Sequence, residues 1–123
     1  MQTNPERENL NGAKIYVDGV LNELKARKIR LDLKDYSTYG ATLSTGFGGQ
    51  YLEFPLSGLK AQSLLTDMTN MLNVCISYFS GPWRTNYPNG RIFMDGGGTT
   101  LIVCLGTNWV NTSTIIDIMV LGV

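Results

Sequence analysis

The densest collection of groups able to do chemistry lies in residues 81–91, GPWRTNYPNGR. Trp83 and Tyr87 offer rings that stack on a base or a sugar. Arg84 and Arg91 offer forked guanidinium groups that grip phosphate or carboxylate through paired hydrogen bonds. Asn86 and Asn89 offer amides that read polar edges. The same side-chain types dominate protein–protein hot spots, where Trp, Tyr and Arg are enriched. The prolines and the Asn89-Gly90 dipeptide make the segment a loop. Phe79, just before it, can supply a further stacking ring, and Trp109 joins the set from a later turn. Phe79, Trp83, Arg84, Asn86, Tyr87, Asn89, Arg91 and Trp109 are therefore the candidate interface or ligand-binding residues.

Other constellations lead away from catalysis. The chain has no histidine, which removes the commonest general base, the commonest metal ligand and any Ser-His or Cys-His pair. Cys75 and Cys104 lack metal-motif spacing and read as buried core thiols, Cys75 in a helical stripe and Cys104 in an apolar strand, with a disulfide open only if that helix covers that strand. Gly96-Gly97-Gly98 lacks the Lys-Ser/Thr ending and following helix of a phosphate loop, and reads as a hairpin connection. Glu53, Asp67, Asp95 and Asp117 are too scattered to nominate an acid–base pair. Asp117 interrupts an apolar run, as a buried, partnered carboxylate or an edge-facing gatekeeper would. The basic run at residues 25–30 sits among Glu23, Asp32 and Asp35 and reads as a solvated or subunit-bridging face, not a nucleic-acid patch. No enzyme, metal or cofactor is expected.

The elements that must position these groups follow from patterning. The chain has 123 residues, enough for one core but not two. Charged residues make up 16%, well below the roughly 25% of an ordinary soluble domain. Of the 20 charges, residues 1–35 hold 13, so the remaining 88 residues form a nearly uncharged body. Such a body fits burial against copies of itself or against other subunits. The zero net charge argues against direct nucleic-acid binding, and no apolar run is long enough to span a membrane.

Residues 1–11 read as a polar arm and 12–123 as a single domain. Apolar spacing predicts a helix over at least 20–28, with a strand over 13–17 and a turn at Asp18-Gly19 as the rival reading of the stretch before it. Alternation predicts strands over 29–34, 39–45 and 51–54. An apolar stripe from Ala61 to Phe79 predicts one long helix over 57–79. Strands over 91–95, 100–105 and 114–121 follow, the last two apolar on both faces and hence central. The expected fold is α+β: a mostly antiparallel sheet of about five to six strands, packed by one long central helix and a shorter N-terminal helix.

Residues 89–111 resemble a hairpin pattern of bacteriophage fibre and other virion proteins, carried here by Gly90, Ile92, Phe93, Asp95, Gly106, Thr107, Trp109 and Val110. The resemblance implies a virion component; a head-decoration, connector or tail part accommodates a long helix better than a fibre tip does. Two functions are expected. The first is a non-enzymatic, self-associating structural protein whose partners are its own copies and other virion proteins. The second is a phage-encoded binder that sequesters a nucleotide-like small molecule in the host cytoplasm.

Overall fold

The computed structural model describes residues 13–80, 91–106 and 113–123. Its strands are β1 (Lys14–Val17), β2 (Val20–Glu23), β3 (Lys25–Asp32), β4 (Thr42–Gly46), β5 (Gly49–Pro55), β6 (Met71–Ser80), β7 (Arg91–Asp95), β8 (Thr100–Gly106) and β9 (Ile115–Gly122). A 3-10 helix covers Leu33–Tyr39, and a short helix α1 covers Leu56–Ala61. The strands form a β1-β2 hairpin, a three-stranded sheet in the order β3-β9-β6 and a four-stranded sheet in the order β4-β5-β8-β7. Every pairing is antiparallel. The expected polar arm at 1–11 lies outside the described residues.

This corrects the α+β expectation: the protein is mostly β, and among the described residues no long central helix packs on a sheet. The 57–79 helix survives only as Leu56–Ala61. Ser63 and Leu65 both take left-handed backbone conformations that end it. Beyond them, Met71–Ser80 is a strand rich in β-branched and aromatic residues, with Val74 and Ile76 turned toward the core. The 20–28 helix is likewise replaced by β2 and β3. The left-handed Asp18-Gly19 turn commits residues 20–23 to the hairpin, and pairing on β9 commits residues 25–28 to the sheet. For 57–79 the reason is burial. Helix propensities differ by at most about 0.7 kcal/mol per ordinary residue. Burying a Leu, Ile or Val against a second sheet is worth about 1.5–3 kcal/mol. A helix-like spacing therefore yields wherever alternation also places apolar side chains on one strand face.

The two larger sheets each give one face to a single core. Ile29 and Leu31 from β3, Ile116, Ile118 and Val120 from β9, and Val74 from β6 meet Leu52 and Phe54 from β5 and Leu101, Val103 and Leu105 from β8. Leu33 from the 3-10 helix, Leu56 and Leu59 from α1, and Leu65 and Met68 from the loop after it belong to the same core. The runs read as central strands are central: β8 lies between β5 and β7, and β9 between β3 and β6.

The glycine triplet joins the two sheets. Gly96, Gly97 and Gly98 all have positive φ in the β7–β8 turn. The Gly98 carbonyl accepts a hydrogen bond from Met71 N–H at 2.8 Å, and the Gly97 carbonyl accepts one from Asn70 Nδ2 at 2.7 Å. The turn of one sheet is thereby clamped to the start of β6 in the other.

The cysteines lie on different sheets, Cys75 on β6 and Cys104 on β8, and are not joined to each other. Cys104 is buried, but Cys75 is exposed, which corrects its reading as a core thiol. Cys75 stands opposite Met119 on the side of β6 away from the core.

Candidate functional site

The outer face of the three-stranded sheet carries the most organised polar cluster among the described residues. Register places Arg30 of β3 and Tyr78 of β6 on either side of Asp117 of β9. A bulge between Ile76 and Tyr78 shifts β6 so that Tyr78 reaches this row. Ser77 at the bulge donates its hydroxyl to the Asp117 carbonyl at 3.3 Å. The Arg30 guanidinium holds the Asp117 carboxylate at both oxygens, Nε to Oδ1 at 2.7 Å and Nη2 to Oδ2 at 3.0 Å. Lys28 Nζ stands 3.5 Å from Oδ2. The carboxylate is only 4% exposed, while the Lys28 and Arg30 side chains are 57% and 67% exposed. An aspartate is thus tucked beneath two solvent-facing cations.

The electrostatics follow from that arrangement. The hydrogen bonds from Arg30, aided by the charges of Arg30 and Lys28, hold the Asp117 carboxyl below the usual aspartate range. Asp117 in turn raises the Arg30 guanidinium further above its ordinary value. A carboxylate kept ionised in this way has no proton to donate near neutral pH, so it fits a general acid poorly. With two largely exposed cations over one buried carboxylate, the face suits contact with acidic or anionic groups better than proton transfer. A shallow depression of about 390 Å³ lies here, walled by Lys28, Arg30, Tyr78 and Asp117 with Ser80 and Ile115 at its edge.

The other half of the same face is apolar. Ala26, Leu121 and Asn73 form one row and Lys28, Met119 and Cys75 the next. A groove of about 290 Å³ runs between them, lined chiefly by Ala26, Cys75, Met119 and Leu121.

The β1-β2 hairpin leads into this face through a single residue, Leu24, whose N–H donates to the Ala13 carbonyl at 2.7 Å. Its turn is Asp18-Gly19, both in the left-handed region, as a two-residue turn matching strand twist requires. Lys14 pairs with Glu23 and Tyr16 with Leu21 on one side; Ile15 pairs with Asn22 and Val17 with Val20 on the other. Ile15, Tyr16, Val20 and Leu21 are 37%, 71%, 61% and 51% exposed.

Two further aspartates hold the frame. Asp32 accepts hydrogen bonds from Ser113 Oγ, Thr114 N–H and Lys34 N–H, fixing the end of β3 to the approach to β9. Burial alone would raise its carboxyl, and those hydrogen bonds outweigh it, so the net direction is down. Asp67 is lowered chiefly by its hydrogen bond from Arg27 at 2.6 Å. All three aspartates bind protons more weakly folded than unfolded. Their stabilisation is therefore complete above the unfolded value of about 4 and is lost as pH falls through the lower folded values. We expect a melting temperature that is level between about pH 8 and pH 5 and drops steeply below about pH 4. Circular-dichroism melts across that range check this, and a temperature unchanged down to pH 3 would contradict it.

The residues singled out in sequence fare unevenly. Phe79 lies on β6 opposite Ile116 and is 49% exposed. Arg91 opens β7 in the other sheet, opposite Cys104. Trp83, Arg84, Asn86, Tyr87, Asn89 and Trp109 lie outside the described residues. Asp117 is the buried, partnered carboxylate of the two alternatives, on a central strand and not an edge. The hairpin and the Arg30–Asp117 pair were not singled out as sites. The signals for them were the Asp18-Gly19 turn and the outward position of Arg30 in an alternating strand. On the opposite sheet, Phe47 in the β4–β5 turn packs edge-on against Tyr51 and Phe93, with ring centroids 4.8 and 5.2 Å away.

Set against protein-family models, curated proteins and solved structures, the chain matches none of them. Among the described residues no cluster of His, Cys, Asp or Glu could hold a metal ion, and no helix is long and apolar enough to cross a membrane.

Proposed function

We propose that this protein is a non-enzymatic, self-associating structural subunit. The observation that carries the reading is the β1-β2 hairpin, which holds out four large apolar side chains. A lone two-stranded hairpin is marginal in water, and exposed apolar surface of this kind marks an interaction site. The charge-poor body adds to this, since its surface depends on neutral polar groups. A virion setting, with other particle proteins as further partners, rests on the 89–111 pattern alone. Light scattering after size exclusion tests the assembly: a defined oligomer is expected at micromolar concentration, and a clean monomer at high micromolar concentration overturns the reading.

One observation favours a second reading, capture of a nucleotide-like anion. The depression sets the exposed cations Lys28 and Arg30 beside the half-exposed ring of Tyr78, the pairing of charge and aromatic face that such a ligand needs. A thermal-shift screen with cyclic and linear nucleotides should then raise the melting temperature, and no rise with any of them removes this reading.

A further inference from the structure

We propose that the hairpin of one copy seats its Tyr16–Leu21 side in the apolar groove on the outer sheet face of a second copy. The inference rests on the self-assembly reading and names the surface it uses. The groove is open within one chain: Cys75 is exposed and Met119 is 38% exposed, so the chain's own hairpin leaves it uncovered. Tyr16 and Leu21 are cross-strand neighbours, and together they present an aromatic ring and a branched aliphatic group of the size the groove can take. Met119 and Cys75 offer polarisable sulfur, which packs well against an aromatic edge.

Charge fixes the orientation. The hairpin carries Lys14, Asp18 and Glu23, one cation against two carboxylates. The groove is bordered by Lys28, Arg30 and Asp117, two cations against one carboxylate. Opposite net charges across such a border steer the encounter and favour one register. Lys28 lies in the groove's own row, opposite Met119, and is 57% exposed, so it is the cation nearest the hairpin's carboxylates. In a two-fold pair the contact occurs twice, each copy giving a hairpin and receiving one. Because Leu24 alone separates hairpin from sheet, arm and groove are held close in each copy, and the two contacts close together.

A cross-linking experiment with mixed copies tests this. One copy carries Lys14→Cys and Cys75→Ser, which puts a thiol on the exposed Tyr16–Leu21 side of the hairpin and leaves both of those side chains in place; the other is the unaltered chain with its native Cys75. Mild copper–phenanthroline oxidation should give a dimer band as the main product, mapped by mass spectrometry to the hairpin peptide and the Cys75 peptide. A control copy carrying Thr45→Cys and Cys75→Ser puts the thiol on an exposed position of the other sheet. It should give at least about tenfold less of the mapped product, the scale of one order of magnitude in effective concentration. Light scattering on the same mixtures separates the two ideas. An oligomer with no hairpin–Cys75 link, or an equal band from the control, overturns the proposed docking while assembly stands. A monomer overturns both.

Discussion

A Gly98→Ala variant is expected to lose about 4 kcal/mol of stability, most of what a small domain has to lose. Gly98 has a φ of +88°, which an L side chain adopts at a cost of about 1–2 kcal/mol. A methyl group there would land on the Met71 carbonyl oxygen, which is backbone and cannot swing aside. Relief requires the β7–β8 turn to back away from β6, giving up the Met71 N–H to Gly98 carbonyl bond at 2.8 Å. That loss adds about 1 kcal/mol, and the displaced packing about 1–3 more. Gly97 is the internal control. It has a φ of +70°, but a methyl group there meets nothing within 4 Å. Gly97→Ala should therefore cost only the conformational part, about 1–2 kcal/mol. Urea melts of the two variants separate the effects: at slopes of about 1–3 kcal/mol per molar, the Gly98 variant should shift its midpoint down by about 2 M. Equal shifts would mean that the turn is not clamped to β6.

The second large effect is on association. Tyr16→Ser with Leu21→Ser removes the two most exposed large apolar groups of one hairpin side without touching the core. Hot-spot aromatic and aliphatic truncations cost about 2 kcal/mol or more each. Two of them per hairpin should weaken each contact by roughly three orders of magnitude, each 1.4 kcal/mol being tenfold, and a two-fold pair makes that contact twice. The oligomer expected of the unaltered chain should become a monomer at the same micromolar concentration. Its circular-dichroism spectrum should stay nearly unchanged, because the core is untouched, while its urea midpoint should fall to that of the free chain as the stabilisation from association is lost. An oligomer of unaltered mass would remove the hairpin from the interface.

The parts of the fold that could be read from the residues are those where one pattern had no rival. Residues 91–95, 100–105 and 114–121 alternate or run apolar between glycine and asparagine turns, and they are β7, β8 and β9 within one residue. Asp18-Gly19 announced its turn for the same reason. Residues 61–79 satisfied two patterns at once. Leu64, Leu65, Met68 and Leu72 fit a helical stripe, yet Val74 and Ile76 also fit a strand face. What decided between them was β9, some 40 residues later, which offered Val74, Ile76 and Phe79 a partner strand. A local window holds no trace of that partner. The cluster on the outer face was half legible: Asp117 stood out as a charge in an apolar run. Its partner Arg30 is 87 residues away in sequence, and only the register of β3 on β9 brings them together.

That register also sets the order of events during folding. β9 is the strand on which β3 and β6 both zip, and it is the last described strand to be synthesised. At about 5–20 residues per second, the Ile29–Leu31 and Val74–Ile76 faces wait several seconds for a sheet to join. The turn contacts of β7 and β8 can form meanwhile, but the three-stranded sheet cannot. Closure then spans nearly the whole chain, which places this protein among slow folders. Through that interval β6, which carries no charge at all, lies unpaired with nothing on it to keep chains apart. The surface economy that serves assembly in the finished molecule is thus a hazard in the unfinished one, and yield on expression should depend strongly on temperature and synthesis rate.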